Sequence, residues 1–124
     1  MENLNEPIQV IYYIVFVTRY KRAIFADKEA TDLVKSALSN TQEKGILQIN
    51  SLDIGDCYIN LVCNCEPSKS PNQIVSILKR ASYQAILKKM PSLNSLWARN
   101  VILRTFPISS NELDDFLMTI KRRG

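Results

Sequence analysis

Histidine is absent from all 124 residues. With no imidazole, the chain has no general base or metal ligand of that type, so Ser-His-Asp and Cys-His catalysis and histidine-containing zinc sites are excluded within it. Cysteine is scarce and odd in number: Cys57, Cys63 and Cys65 fall in one short segment, a poor disulfide framework that fits a reducing cytoplasm. Three glycines and five prolines are too few for a collagen-like or low-complexity chain. The segment from Met1 to Pro7 is polar and acidic, and no apolar run approaches the ~20 residues of a membrane span, so neither secretion nor membrane insertion is expected.

What is present is enough hydrophobic residue, 46% against 23% charged, for one packed core. A single domain over 1–124 is expected, with 1–7 as a flexible N-terminus. The net charge of +4 suits a polyanionic partner without requiring one. Its distribution is uneven. Arg19, Lys21 and Arg22 surround Tyr20, Lys79 adjoins Arg80, and Lys121 to Arg123 close the chain, whereas acids gather at Asp27 and Glu29 and from Glu112 to Asp115.

Ile8 to Thr18 is β-branched and aromatic on both parities, which predicts a strand buried on both faces. A short basic loop from Tyr20 to Phe25 leads to helical spacing over Asp27 to Lys44, stopped by Gly45. Ile46 to Ile54 and Cys57 to Cys65 alternate around Gly55 and Asp56 as an antiparallel hairpin. Ser70-Pro71-Asn72-Gln73 is a capping box opening a helix to about Lys89. A loop containing proline and serine follows, then a strand from Asn100 to Phe106. Ser109 to Glu112 caps a final helix bearing Leu113, Phe116, Leu117 and Ile120. The order β-α-β-β-α-β-α is that of an α+β, ferredoxin-like (split βαβ) sandwich with an antiparallel sheet and an extra C-terminal helix. Many functions use that fold, among them RNA-recognition modules that stack bases on the open sheet face.

From Tyr12 to Phe25 the chain resembles the single-tyrosine HUH transposases of small insertion sequences and REP-associated elements, whose first strand ends in a similar Thr-Lys-Tyr-Arg-Arg-Pro-Val-Phe loop. Four more regions match in order. Cys57 to Val62 lies at the family's His-hydrophobic-His strand. Ser68 to Ser82, with Lys79-Arg80-Ala81-Ser82, resembles its Ser-Pro-led helix, Leu96 to Arg99 its Leu-Trp segment, and Ile108 to Ile120 its nucleophile helix. The resemblance implies a homodimer that grips single-stranded or hairpin DNA and exchanges strands by tyrosine transesterification; RNA, which other proteins of this fold bind, stays an alternative partner. It also implies a divalent cation, magnesium or manganese, held by two histidines and a glutamine.

The chain departs from that pattern at each chemical position. Tyr58 and Asn60 stand at the histidines, Phe116 at the nucleophile and Ile120 at the glutamine. A phenol and an amide are weak neutral ligands for such a cation, and phenylalanine has no hydroxyl to attack phosphate. With these departures neither cofactor nor strand cleavage is expected in this chain, and the apolar stripe of the last helix is expected to pack down as core. A relocated tyrosine among Tyr12, Tyr13, Tyr20, Tyr58 and Tyr83, assisted by Asp53 or Asp56, is the alternative. A protein-interaction module is a third.

For nucleic-acid contact the resemblance selects Arg19, Tyr20, Lys21, Arg22, Lys79, Arg80, Ser82 and Arg99. The first four combine cations with a ring that can stack a base. Read by composition alone they are a solvated loop, and Lys79, Arg80 and Ser82 are ordinary helix-surface residues. Lys121 to Arg123 are expected to complement the last helix's C-terminus. The three cysteines share the parity of Ile59 and Leu61 and are expected as buried thiols, and Trp97 as an anchor packed beneath a loop.

Overall fold

The computed structural model describes residues 9–43, 45 and 47–120. Four strands form one antiparallel sheet: β1 (Val10–Thr18), β2 (Leu47–Ile54), β3 (Tyr58–Cys65) and β4 (Trp97–Arg104), in the spatial order β2-β3-β1-β4. Helices α1 (Lys28–Glu43) and α2 (Pro71–Leu87) connect them, and α3 (Ser110–Thr119) closes the described chain. The split βαβ arrangement expected from the sequence is therefore present, because β3 inserts between β1 and β2. Among the described residues no helix is long and apolar enough to cross a membrane. The segment 1–7 and Lys121 to Arg123 lie outside the described residues.

Alternation on β3 decides the layers. Ile59, Leu61, Cys63 and Cys65 are buried against the two long helices, with Ile14 and Phe16 of β1, Val34 and Leu38 of α1 and Ile74, Leu78 and Ile86 of α2. The opposite parity, Tyr58, Asn60, Val62 and Asn64, is half-buried on the other face. There α3 builds a second, smaller cluster on Val15 and Val17, sealed by Ile120. A helix of ten residues covers only part of that face. Residues 14–18 are therefore buried on both sides, while Ile11 near the other end of β1 is 43% exposed.

Both predicted capping boxes form. Ser70 Oγ accepts from the Gln73 amide at 3.2 Å while the Gln73 side chain accepts from the Ser70 amide at 2.8 Å. Ser109 and Glu112 repeat the exchange at 3.1 Å each way. Such reciprocal bonds satisfy two backbone donors that a helix start otherwise leaves open.

Three expectations need correction. β4 begins at Trp97, three residues before the expected Asn100, and ends at Arg104. Its pairing with β1 slips between Phe16 and Thr18, so residues 98–100 face a single β1 residue, and this irregularity breaks the alternation a strand would show. Cys57 precedes β3 and is only half-buried, unlike Cys63 and Cys65. The basic segment after β1 is two short 3₁₀ turns, Arg19–Lys21 and Ile24–Ala26, with Ile24 and Phe25 buried.

Candidate nucleic-acid interface

The C-terminal end of β1 delivers the basic segment to one end of the sheet. Tyr20 and Lys21 both take positive φ, 61° and 54°. Left-handed backbone costs non-glycine residues roughly 1–2 kcal/mol each, so the turn persists only because its surroundings fix it. The loop preceding β4 supplies that fixation. The Arg19 amide donates to Leu96 O at 2.9 Å, the Arg19 guanidinium to Ser95 Oγ at 3.0 Å and the Arg22 guanidinium to Ser95 O at 2.8 Å. Thr18 Oγ1 closes the turn by donating to Arg22 O at 2.7 Å. The Arg19 guanidinium lies 5.2 Å from the Tyr20 ring centre, within cation-π reach.

Helix α2 brings the second basic pair to the same place. Lys79, Arg80 and Ser95 line one groove of about 390 Å³, with Leu96, Trp97 and Tyr83 as apolar wall. Lys79 is half-buried and donates to Ala98 O at 3.3 Å, and burial pushes its ammonium below the ordinary lysine range. Arg80 is exposed. The structure thus brings Arg19, Arg22, Lys79 and Arg80 together around Ser95. Lys21 is half-buried on the strained turn, and Arg99 is exposed in the irregular stretch of β4.

Ser82 does not stand on the helix surface with them. It is 1% exposed, its hydroxyl accepts from Trp97 Nε1 at 2.8 Å and it donates to Leu78 O at 2.8 Å. The spacing of four in Ile74, Leu78, Ser82 and Ile86 places it on the buried stripe, a signal the sequence contained. Trp97 also meets Phe16 and Phe25, with ring centres 5.4 and 5.7 Å away, so it anchors the start of β4 in the core. Ser95 was absent from the sequence-based set. Its role depends on contacts 73 and 76 residues away in the chain, which no local pattern records.

The positions that the resemblance assigned to chemistry meet on the α3 face. Tyr58, Phe116 and Ile120 belong to one apolar cluster with Val15 and Val17, but only Ile120 of the last helix's stripe is buried, while Leu113, Phe116 and Leu117 stay half-buried, so the stripe packs down as core only in part. Asn60 is half-buried beside Val15, its partner on β1, and Asp53, its partner on β2. The Tyr58 ring fills the space over Gly55, where a β-carbon would sit 2.1 Å from a ring atom. Burial, with Asp53, Asp114 and Asp56 nearby, holds the Tyr58 phenol above its ordinary pKa. The three positions themselves carry no strong ligand for a divalent cation. Tyr58, Asn60 and Ile120 offer no anionic ligand, and no group of three or more Cys, Asp and Glu among the described residues is placed to hold a metal.

Arg104 ties α3 to the sheet. It pairs with Glu112, donates to Pro107 O at 3.2 Å and lies 4.4 Å from the Phe106 ring centre. The hydrogen bond from Arg104, aided by the Ser109 amide, lowers the Glu112 pKa.

Comparison with known proteins agrees with this architecture. A structure from Deinococcus radiodurans R1, provisionally described as a transposase, superimposes with a TM-score of 0.79 at 17% identity, covering 99% of each chain. A REP-associated tyrosine transposase bound to a REP hairpin superimposes with a TM-score of 0.59 at 10% identity, covering 97% of this chain and 68% of that one. At such identities the likeness establishes the fold alone. No curated protein matches the chain significantly. The family model described as "Transposase IS200 like" matches residues 8–120, nearly the whole chain, which therefore belongs to the IS200-like transposase family.

Proposed function

We propose that this chain is a nucleic-acid-binding member of its family that grips folded single-stranded DNA at the basic end of the sheet and does not cleave it. The observation that carries the reading is the apolar cluster in which Tyr58, Phe116 and Ile120 pack with Val15 and Val17. Strand transfer by a tyrosine needs a hydroxyl nucleophile and an electrophilic partner for the scissile phosphate. At the corresponding positions this chain has a benzyl group and a sec-butyl group in the same apolar cluster. Attack by Tyr58 itself is disfavoured, because burial and the surrounding carboxylates oppose formation of its phenolate.

Support for DNA as partner comes from the convergence of Arg19, Arg22, Lys79 and Arg80, together with the exposed Arg99. The structural relative bound to a REP hairpin makes a hairpin the natural form to test. The chain acts as a homodimer in the cytoplasm under this reading, as a repressor, a hairpin-binding regulator or a decoy for active relatives. Fluorescence anisotropy with a labelled DNA hairpin, an unstructured strand and an RNA hairpin tests it. Tight binding of the DNA hairpin, weakening steeply as salt rises from 50 to 200 mM, is expected of a phosphate-contacting site (about tenfold or more for several contacts). Equal, weak binding of all three overturns it, and preference for the RNA hairpin moves the assignment to RNA.

A further inference from the structure

The β1–α1 turn and the loop before β4 are one mechanical unit. Tyr83 Oη donates to Leu93 O at 2.6 Å and lies 2.9 Å from Asn94 O, Trp97 is tied to Ser82 at 2.8 Å, and between these anchors Ser95 meets both arginines. Arg22 Nε also donates back to Arg19 O at 3.2 Å. Arginine presents its donors in a planar fork, so fixing one edge of the fork aims the rest. We propose that Ser95 is a positioning residue for DNA binding: its hydroxyl and carbonyl hold Arg19 and Arg22 in the orientation that meets phosphate, without touching phosphate itself. The inference rests on the proposed function for its ligand and on the clasp for its mechanism.

Preorganisation of this kind lowers the ordering cost of binding and leaves the number of phosphate contacts unchanged. A positioning residue and a contact residue therefore differ in salt dependence. Arg19→Ala removes a cation and should flatten the slope of log affinity against log salt by about one unit. Ser95→Ala keeps every cation. It should weaken binding of the labelled hairpin by about three- to tenfold with an unchanged slope, and Ser95→Thr, which restores the Oγ, should recover it. Wild-type affinity in Ser95→Ala, or a slope that falls as in Arg19→Ala, overturns the proposal.

A second measurement needs no DNA. In the free protein, hydrogen exchange at the Arg19 amide, which donates to Leu96 O, should speed up about fivefold or more in Ser95→Ala while the Ile14 amide in the middle of β1 is unchanged. Unchanged exchange at Arg19 contradicts the clasp even where no hairpin binds. A wild-type protein that binds no hairpin but shows the exchange effect overturns the DNA assignment and leaves the clasp standing.

Discussion

At the scale of single residues, Gly55 and Tyr58 are a matched pair. No side chain fits at position 55 while the Tyr58 ring lies over it. Gly55→Ala should lower stability by about 1–3 kcal/mol through overpacking, measured by thermal or urea unfolding. The same substitution in a Tyr58→Ser background should cost much less, since the two changes share one contact. Equal costs in both backgrounds would show that the clash does not govern the site. Glu112 supplies a pH-dependent counterpart. Its pKa lies below the ordinary value of 4.5 because Arg104 bonds the ionised form. A depressed carboxylate contributes stability that is present above the unfolded pKa and is lost as pH falls through the folded one. Glu112→Gln should therefore melt below wild type at pH 7, and the gap should close once the pH drops well under 4.5; a gap that persists in acid would contradict the assignment.

At the scale of elements, α3 is the part of the fold on which the proposed function turns. Its apolar stripe places Leu113, Phe116, Leu117 and Ile120 against the sheet, and its first turn is held by the Ser109 box and the Arg104 pair. Ile120 is 6% exposed, so Ile120→Ala should cost about 2 kcal/mol and accelerate hydrogen exchange in α3 more than in α1. Uniform acceleration in both helices would mean that α3 has no separate docking equilibrium. The same elements show what the sequence made legible. Periodicity over Leu113 to Ile120 and the two capping boxes act through neighbours three or four residues apart, and the pattern displays them directly. The start of β4 is hidden in the sequence because residues 98–100 face a single β1 residue, which breaks the alternation of a strand. Ser82 carries a hydroxyl on a buried stripe, which has the look of a surface residue until it is paired with Trp97. Ser95 had no local signal at all, since both of its arginines come from the other end of the chain.

At the scale of the whole molecule, charge and chemistry occupy different places. Basic residues gather around the groove beside α2 and the turn after β1. The face where relatives would be expected to act carries an apolar plug with Asp53, Asp56 and Asp114 near Tyr58. Carboxylates at that position repel a phosphate backbone, so under the proposed function DNA is held at the basic end of the sheet and not on this face. The most direct test takes the wild-type protein bound to its labelled hairpin, adds manganese or magnesium, and resolves the mixture on a denaturing gel. Every labelled strand is expected to be released intact and free of protein. A labelled band that migrates with the denatured protein, or a shortened strand that is absent when the protein is omitted, would contradict it.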